Sequence, residues 1–173
     1  MPEPVVVVEY DLNWPVRYDA EKTCILEVIG AYIEDIQHVG STSVPGLGAK
    51  PIIDIMIGIH DLSLVEKCVQ PLENLGYEYL SEFGIPGRHY FRKPPDTVST
   101  LRTHHIHMVE RNHREWRKHL LFRDYLRNHP EDARQYYLLK KALADKFGSD
   151  REGYTDAKTD FIQAILAKAA LGE

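Results

Sequence analysis

The sequence predicts an α+β protein, with strands over residues 1–110 and a helical region over residues 111–173, and three observations carry that prediction. Residues 51–59 alternate, so that Ile53, Ile55, Ile57 and Ile59 share one face and Asp54, Met56 and Gly58 the other. Residues 101–109 alternate again. From Arg114 onward the apolar spacing turns helical, at Trp116, Leu120, Leu121, Tyr125 and Leu126. The helical region is expected to pack on the core as one compact unit, since 173 residues suit a single domain.

Taken in order, Val5 to Val8 form a short β-branched run. Asn13 or Trp14 ahead of Pro15 reads as a helix start, with proline near the first helical position. Val16, Tyr18, Ile25, Leu26, Val28 and Ile29 continue that helix, and Gly30 ends or interrupts it. Ile33 and Ile36 to Val39 read as a strand running into Gly40-Ser41. Asp61 with Ser63 caps a helix expected over residues 64–75, stopped by Gly76. Residues 77–83 and 88–93 read as two strands about the turn Gly84-Ile85-Pro86-Gly87. The helix from Arg114 stops near Asn128-His129, and Pro130 opens a second one closed by Gly148. Thr155 is expected to cap a third, carrying Phe161, Ile162, Ile165 and Leu166.

Composition narrows the function classes. A formal charge of −5 argues against a dedicated nucleic-acid binder, which would be basic. No window approaches the ~20 apolar residues of a membrane span. Met1-Pro2-Glu3-Pro4 lacks the basic start of a secretory leader, so a cytoplasmic protein with no membrane partner is expected. Cys24 and Cys68 have no metal-ligand spacing and read as free, buried thiols.

Three groups of residues could carry chemistry. Gly40, Ser41 and Thr42 form a small hydroxylated turn whose N–H groups suit phosphate oxygens. Asp54 lies 13 positions after Ser41, and an acid amid isoleucines costs stability unless it has a partner or a task. If the two strands are neighbours, the turn and the acid face a common cleft. His105 and His107 share a strand face, an arrangement that suits metal ligation or phosphate orientation, whereas His104 points to the opposite face. Arg123 and Arg127 stack on one helical face. With Lys140 and Lys158, and with Lys50 and Arg88 from the strand half, they could line the cleft and neutralise a polyphosphate. A solvated helix face is the plainer reading of those cations.

The block from His38 to Leu47, the block from Ala49 to Ile55, His105-Ile106-His107, and Phe122-Arg123-Asp124-Tyr125-Leu126-Arg127 together resemble the GrpB family of uncharacterised proteins, from about Tyr10 to Phe161. That family resembles the nucleotidyltransferase superfamily, with Gly-Ser at a turn and two acids two positions apart on the next strand. The resemblance implies a nucleotidyltransferase-like mixed sheet with flanking helices. It implies a nucleoside triphosphate or other small phosphorylated ligand held at Gly40 and Ser41. Asp54 would be a catalytic and metal-binding acid for a divalent ion, with His105 and His107 as ligands or His107 as general base. Arg123, Arg127, Lys140 and Lys158 would steady the transferred group. Met56 stands where the second acid belongs, and a thioether is a poor magnesium ligand. Three readings therefore stand open: metal-dependent nucleotidyl or phosphoryl transfer, a binding module that has lost catalysis, and a single-metal hydrolase. Members fused to a coenzyme A biosynthetic kinase point the second reading toward cofactor-linked ligands.

Overall fold

The alternating isoleucines build one face of a five-stranded sheet. The computed structural model describes residues 3–172, so Met1 and Pro2 of the segment read for a leader lie outside the described residues. The strands are β1 (Ile33–Val39), β2 (Ile53–Ile59), β3 (Glu78–Tyr79), β4 (His89–Lys93) and β5 (His104–Glu110), in the order β1-β2-β5-β4-β3. β2 and β5 are parallel and every other neighbouring pair is antiparallel, so the sheet is mixed. A parallel pair needs a long crossover. Here the chain between β2 and β5 supplies α2 (Val65–Asn74), β3 and β4.

One face is the main core. Ile53, Ile55, Ile57, Ile106, Met108 and Phe91 are fully buried against α1 (Asn13–Ile29) and α2, through Trp14, Ile25, Ile29 and Leu72. Each such side chain contributes roughly 1.5–3 kcal/mol by leaving water. The inward stripe of α1 is Trp14, Tyr18, Glu21, Ile25 and Ile29. Glu21 is tolerated there because its Oε1 accepts hydrogen bonds from Tyr77 Oη at 2.7 Å and Lys93 Nζ at 3.0 Å.

The opposite face carries two cross-strand rows, set by register. Val39, Asp54, His105 and Arg92 form one row, and Gln37, Met56, His107 and Tyr90 form the next. Over this face lies α3 (Arg114–Asn128), whose Trp116 packs with Val39, Met56 and Val109. α4 (Pro130–Phe147), α5 (Arg151–Ala157) and α6 (Thr159–Leu171) complete the helical half. That half is tied to the loop beyond Ser43 by a second cluster, in which Val44 and Leu47 meet Leu126, Ala133, Tyr136 and Ile165. No helix among the described residues is long and apolar enough to cross a membrane.

Four local expectations are corrected. Thr155 caps nothing: it lies inside α5, where its hydroxyl donates to the Arg151 carbonyl, and Asp150 caps that helix by accepting from Gly153 N. The strand expected over 77–83 is regular only at Glu78 and Tyr79; two further backbone bonds join Leu80 and Ser81 to Tyr90, and the left-handed φ of 52° at Ser81 and 45° at Phe83 then ends the extended run. Pairing of the last strand begins at His104, leaving Leu101 exposed in a loop. Cys68 is buried, but Cys24 is exposed on the outer side of α1.

Replacing Glu21 with Ala should lower stability by about 2–3 kcal/mol, since the Tyr77 hydroxyl and the Lys93 ammonium lose their acceptor. Guanidinium denaturation at pH 7 checks this; an unchanged midpoint would remove Glu21 from the list of fold-determining contacts.

Candidate functional site

Asp54 stands at the cleft end of β2, directly beneath the Gly40 turn. Its Oδ1 lies 3.3 Å from His105 Nδ1 and 3.3 Å from His107 Nε2. His107 Nδ1 faces Arg88 Nη1 at 3.4 Å. A guanidinium only donates, so Nδ1 accepts, and the proton on Nε2 is directed at Asp54. Burial alone would raise the Asp54 carboxyl, but the bonds from His105 and His107 outweigh it and hold the group far below the usual carboxylate range. Burial pushes His107 down to about 4, partly opposed by its bond to Asp54. Gly40 makes this approach possible. Its φ is +72°, and a Cβ there would lie 2.7 Å from Asp54 Oδ2 and 3.1 Å from Asp54 Cβ.

The turn, the loop Ala49 to Ile52 and the helical half enclose a cleft of about 270 Å³. Four lysines line it: Lys118 of α3, which pairs with Glu115 at 3.6 Å, and three that converge from separate segments and rest on aromatic rings. Lys158, between α5 and α6, lies 4.3 Å above the Tyr154 ring, and Lys50 lies 5.1 Å from the same ring. Lys140 of α4 lies 4.6 Å from the Tyr136 ring and donates to the Gly48 carbonyl at 2.6 Å. Burial, and then Lys158 and Lys50, bring Lys140 down to about 7. Burial and Lys50 bring Lys158 to about 8 against the pull of Asp54. Among the described residues that line the cleft, Asp54 is the only acid. Tyr154 is fully buried, and its hydroxyl has no hydrogen-bond partner among the described residues. Burial pushes the Tyr136 phenol up, partly opposed by the Ser41 hydroxyl.

Of the residues singled out in the sequence, Gly40, Ser41, Thr42, Lys50, Asp54, His105, Lys140 and Lys158 line this cleft. His107 lies just beneath it, touching Asp54. The Thr42 hydroxyl is already engaged, donating to the Ile52 carbonyl and therefore accepting from His38 Nε2. Arg123 and Arg127 are the correction. Arg123 Nη1 donates to Gln37 Oε1 at 2.8 Å and to the His38 carbonyl at 3.0 Å, and Arg127 Nε donates to the Ser43 carbonyl at 2.9 Å. They brace the outside of the turn. α3 turns His119 and Phe122 into the cleft, and the next residue is rotated by ~100°. Arg88 is likewise absent from the lining and buttresses His107 from behind.

The sequence reading passed over Tyr136, Tyr154 and His119. Their only signal was aromatic recurrence at helical spacing, which core packing also produces.

The donor set does not fit the divalent-ion centre that the resemblance implies. Met56, at the second acid's position, is fully buried with Val39, Val109 and Trp116. His107 presents a proton to Asp54 rather than a lone pair. Among the described residues, no group of three His, Cys, Asp or Glu side chains is arranged to hold a metal ion.

A family model described as GrpB protein matches residues 4–168. The glutamate-rich protein GrpB of Alkalihalophilus pseudofirmus is 40% identical over 163 residues, covering 94% of each chain. The solved structure of GrpB from Enterococcus faecalis superposes with a TM-score of 0.87 at 37% identity, over 95% of this chain and 96% of that one. A protein of Mycolicibacterium paratuberculosis named dephospho-CoA kinase is 24% identical over 192 residues, with 96% of this chain aligned to 46% of that protein. The Cid1 poly(U) polymerase, in its MgGTP-bound structure, shares the nucleotidyltransferase-like fold at a TM-score of 0.52 and 16% identity, over 80% of this chain and 44% of that one.

Two outcomes are expected of the site itself. His38, His104 and His107 are all lowered to about 4, burial being the largest cause. Unfolded imidazoles titrate near ~6.5, so between ~pH 6.5 and 4 the unfolded chain binds protons that the folded one refuses. Stability should therefore fall steadily as pH drops through that window, read from denaturation midpoints at pH 7.5, 6 and 5; a flat profile would contradict neutral buried imidazoles. Gly40→Ala should cost roughly 1–3 kcal/mol through its backbone alone. It should also shift the His107 imidazole resonances by displacing Asp54, and NMR of the purified variant reads both effects.

Proposed function

The chain belongs to the GrpB family, and we propose that its cleft binds a nucleoside triphosphate or a closely similar phosphorylated ligand. The phosphates would lie against Ser41, Lys50, Lys140 and Lys158, and the base against the wall formed by Phe122 and Tyr136. One observation carries this reading: beside Lys118, which pairs with Glu115, the ammonium groups of Lys50, Lys140 and Lys158 gather in one cleft lined by a single carboxylate. Their mutual repulsion and desolvation are unfavourable in the free protein. An anion of several charges relieves both at once. The cation–π contacts to Tyr136 and Tyr154 hold the lysines in place without neutralising them, so their charge stays available to a ligand. The orphaned Tyr154 hydroxyl offers a further donor to a phosphate oxygen.

Group transfer is a second reading, and the contact of Asp54 with two imidazoles at the cleft floor favours it. A carboxylate held this firmly ionised suits orienting an attacking hydroxyl better than retaining its proton. The route does not run through a two-ion centre, because Met56 cannot supply the second carboxylate.

Calorimetry with ATP, GTP, CTP, UTP and dephospho-coenzyme A, with and without magnesium, tests the proposal. The last compound joins the panel because of the relative named dephospho-CoA kinase. At pH 8, binding should draw on the order of one proton from the buffer, since an anion raises the depressed lysines. Repeating the titration in buffers of different ionisation enthalpy measures that uptake, and affinity should weaken between pH 7 and 9. Lys158→Ala should reduce affinity about tenfold or more, by analogy with charge-assisted phosphate contacts. Arg123→Ala should lower the melting temperature and leave affinity unchanged. Binding that responds to Arg123 and ignores Lys158 would sink the assignment. Turnover abolished in Asp54→Asn would establish transfer, whereas tight binding without turnover leaves a binding module.

A further inference from the structure

A second cavity, of about 700 Å³, opens on the other side of His105. It shares Lys50, Ile52 and His105 with the first cleft, so the two spaces meet beside Asp54. Its far wall is aromatic. Phe83 stacks on Tyr90 with centroids 5.1 Å apart and planes 12° from parallel, yet its side chain is 60% exposed. Phe83 also holds a left-handed φ of 45°, a conformation that is uncommon and costly for a bulky residue. The loop is locked in that state by Arg88, whose Nη2 donates to the Phe83 carbonyl at 2.9 Å and to the Glu82 carbonyl at 3.2 Å.

The charged lining is mixed. Arg92 and Arg102 are already paired, with Glu78 and Asp96. Arg151 makes no ion pair among the described residues, and Glu152 and Asp156 stand on the same short helix. An open aromatic face, one uncommitted guanidinium and two carboxylates match a base, a phosphate and sugar hydroxyls respectively.

We propose that this second cavity binds a nucleoside monophosphate, with its base on Phe83 and its phosphate on Arg151, at the same time as the first cleft is filled. The proposal takes the first cleft as the triphosphate site; Phe83 and Arg151, which carry the second ligand, lie outside that cleft, while Lys50, Ile52 and His105 border both. The shared border at His105 would bring the two ligands together beside Asp54.

The test titrates AMP and UMP by calorimetry into the full chain, alone and saturated with a methylene-bridged ATP analogue that cannot be cleaved. The monophosphate should still bind, one per chain, with the analogue present. Phe83→Ala should weaken it about tenfold, the range expected for one lost stacking face. Because Phe83 is exposed, the melting temperature of that variant should not move. Arg151→Ala should weaken monophosphate binding as well, and Lys158→Ala should leave it within twofold. Displacement of the monophosphate by the analogue, or loss in Lys158→Ala with none in Phe83→Ala, would place it in the first cleft and overturn the proposal. Failure of the analogue to bind, with monophosphate binding still lost in Phe83→Ala, would end the triphosphate reading and keep the second site. No monophosphate binding under any condition overturns the second site alone.

Discussion

The contact between Asp54 and the two histidines of β5 is the constraint on which the rest of the site depends. An ionised acid on a strand otherwise built of isoleucine needs donors, and the parallel register of β2 and β5 sets His105 beside it and His107 two residues on. From there the requirements pass outward through hydrogen bonds. Asp54 fixes His107 at 3.3 Å, Arg88 fixes the other nitrogen of His107 at 3.4 Å, and Arg88 pins the Phe83 carbonyl at 2.9 Å. One chain of bonds thus runs from the carboxylate under the Gly40 turn to the exposed ring in the second cavity. The glycine is part of the same constraint, because no side chain fits between the turn and the carboxylate.

The helical half completes the site electrostatically. Lys140 and Lys158 belong to it, as do both tyrosine rings that position the lysines, while Lys50 comes from the strand half. The apolar cluster that joins Val44 and Leu47 to α3, α4 and α6 therefore does more than cover the loop. It drives together three ammonium groups that would otherwise stay apart. Hydrophobic burial is non-directional and large enough to impose such a local electrostatic cost.

Much of the sheet was legible because β2 is so regular. Alternating isoleucines admit one pairing face, and the face settles the direction of Asp54, His105 and His107. The Gly40 turn was legible for a related reason, since a small-residue turn between two strands has few alternatives. What stayed hidden depends on which way a helix is rotated once docked. Arg123 and Phe122 are neighbours in sequence, yet one braces β1 and the other enters the cleft. Glu21 obscured the true stripe of α1, because a charged residue at a buried position looks like the outer face until Tyr77 and Lys93 are brought to it by the fold. Tyr136 and Tyr154 look like core residues in the sequence and are core residues in the structure; their part in the cleft comes from the lysines that rest on them.

Met56 connects the fold to the chemistry. The position two residues after Asp54 lies in the row of Gln37, His107 and Tyr90, and α3 closes over it with Trp116. An ionised carboxylate there would be buried among Val39, Val109 and the Trp116 ring, in a cluster that holds no cation to pair with it. The apolar seat of α3 therefore makes a second acid costly in this packing. An acid-rich floor draws divalent ions and uses them to meet phosphate charge. With thioether and indole at that position, Asp54 is left as the only acid among the described residues that line the cleft, beside its lysines. An acid substituted at Met56 alone would sit buried beneath Trp116, away from the residues that line the cleft.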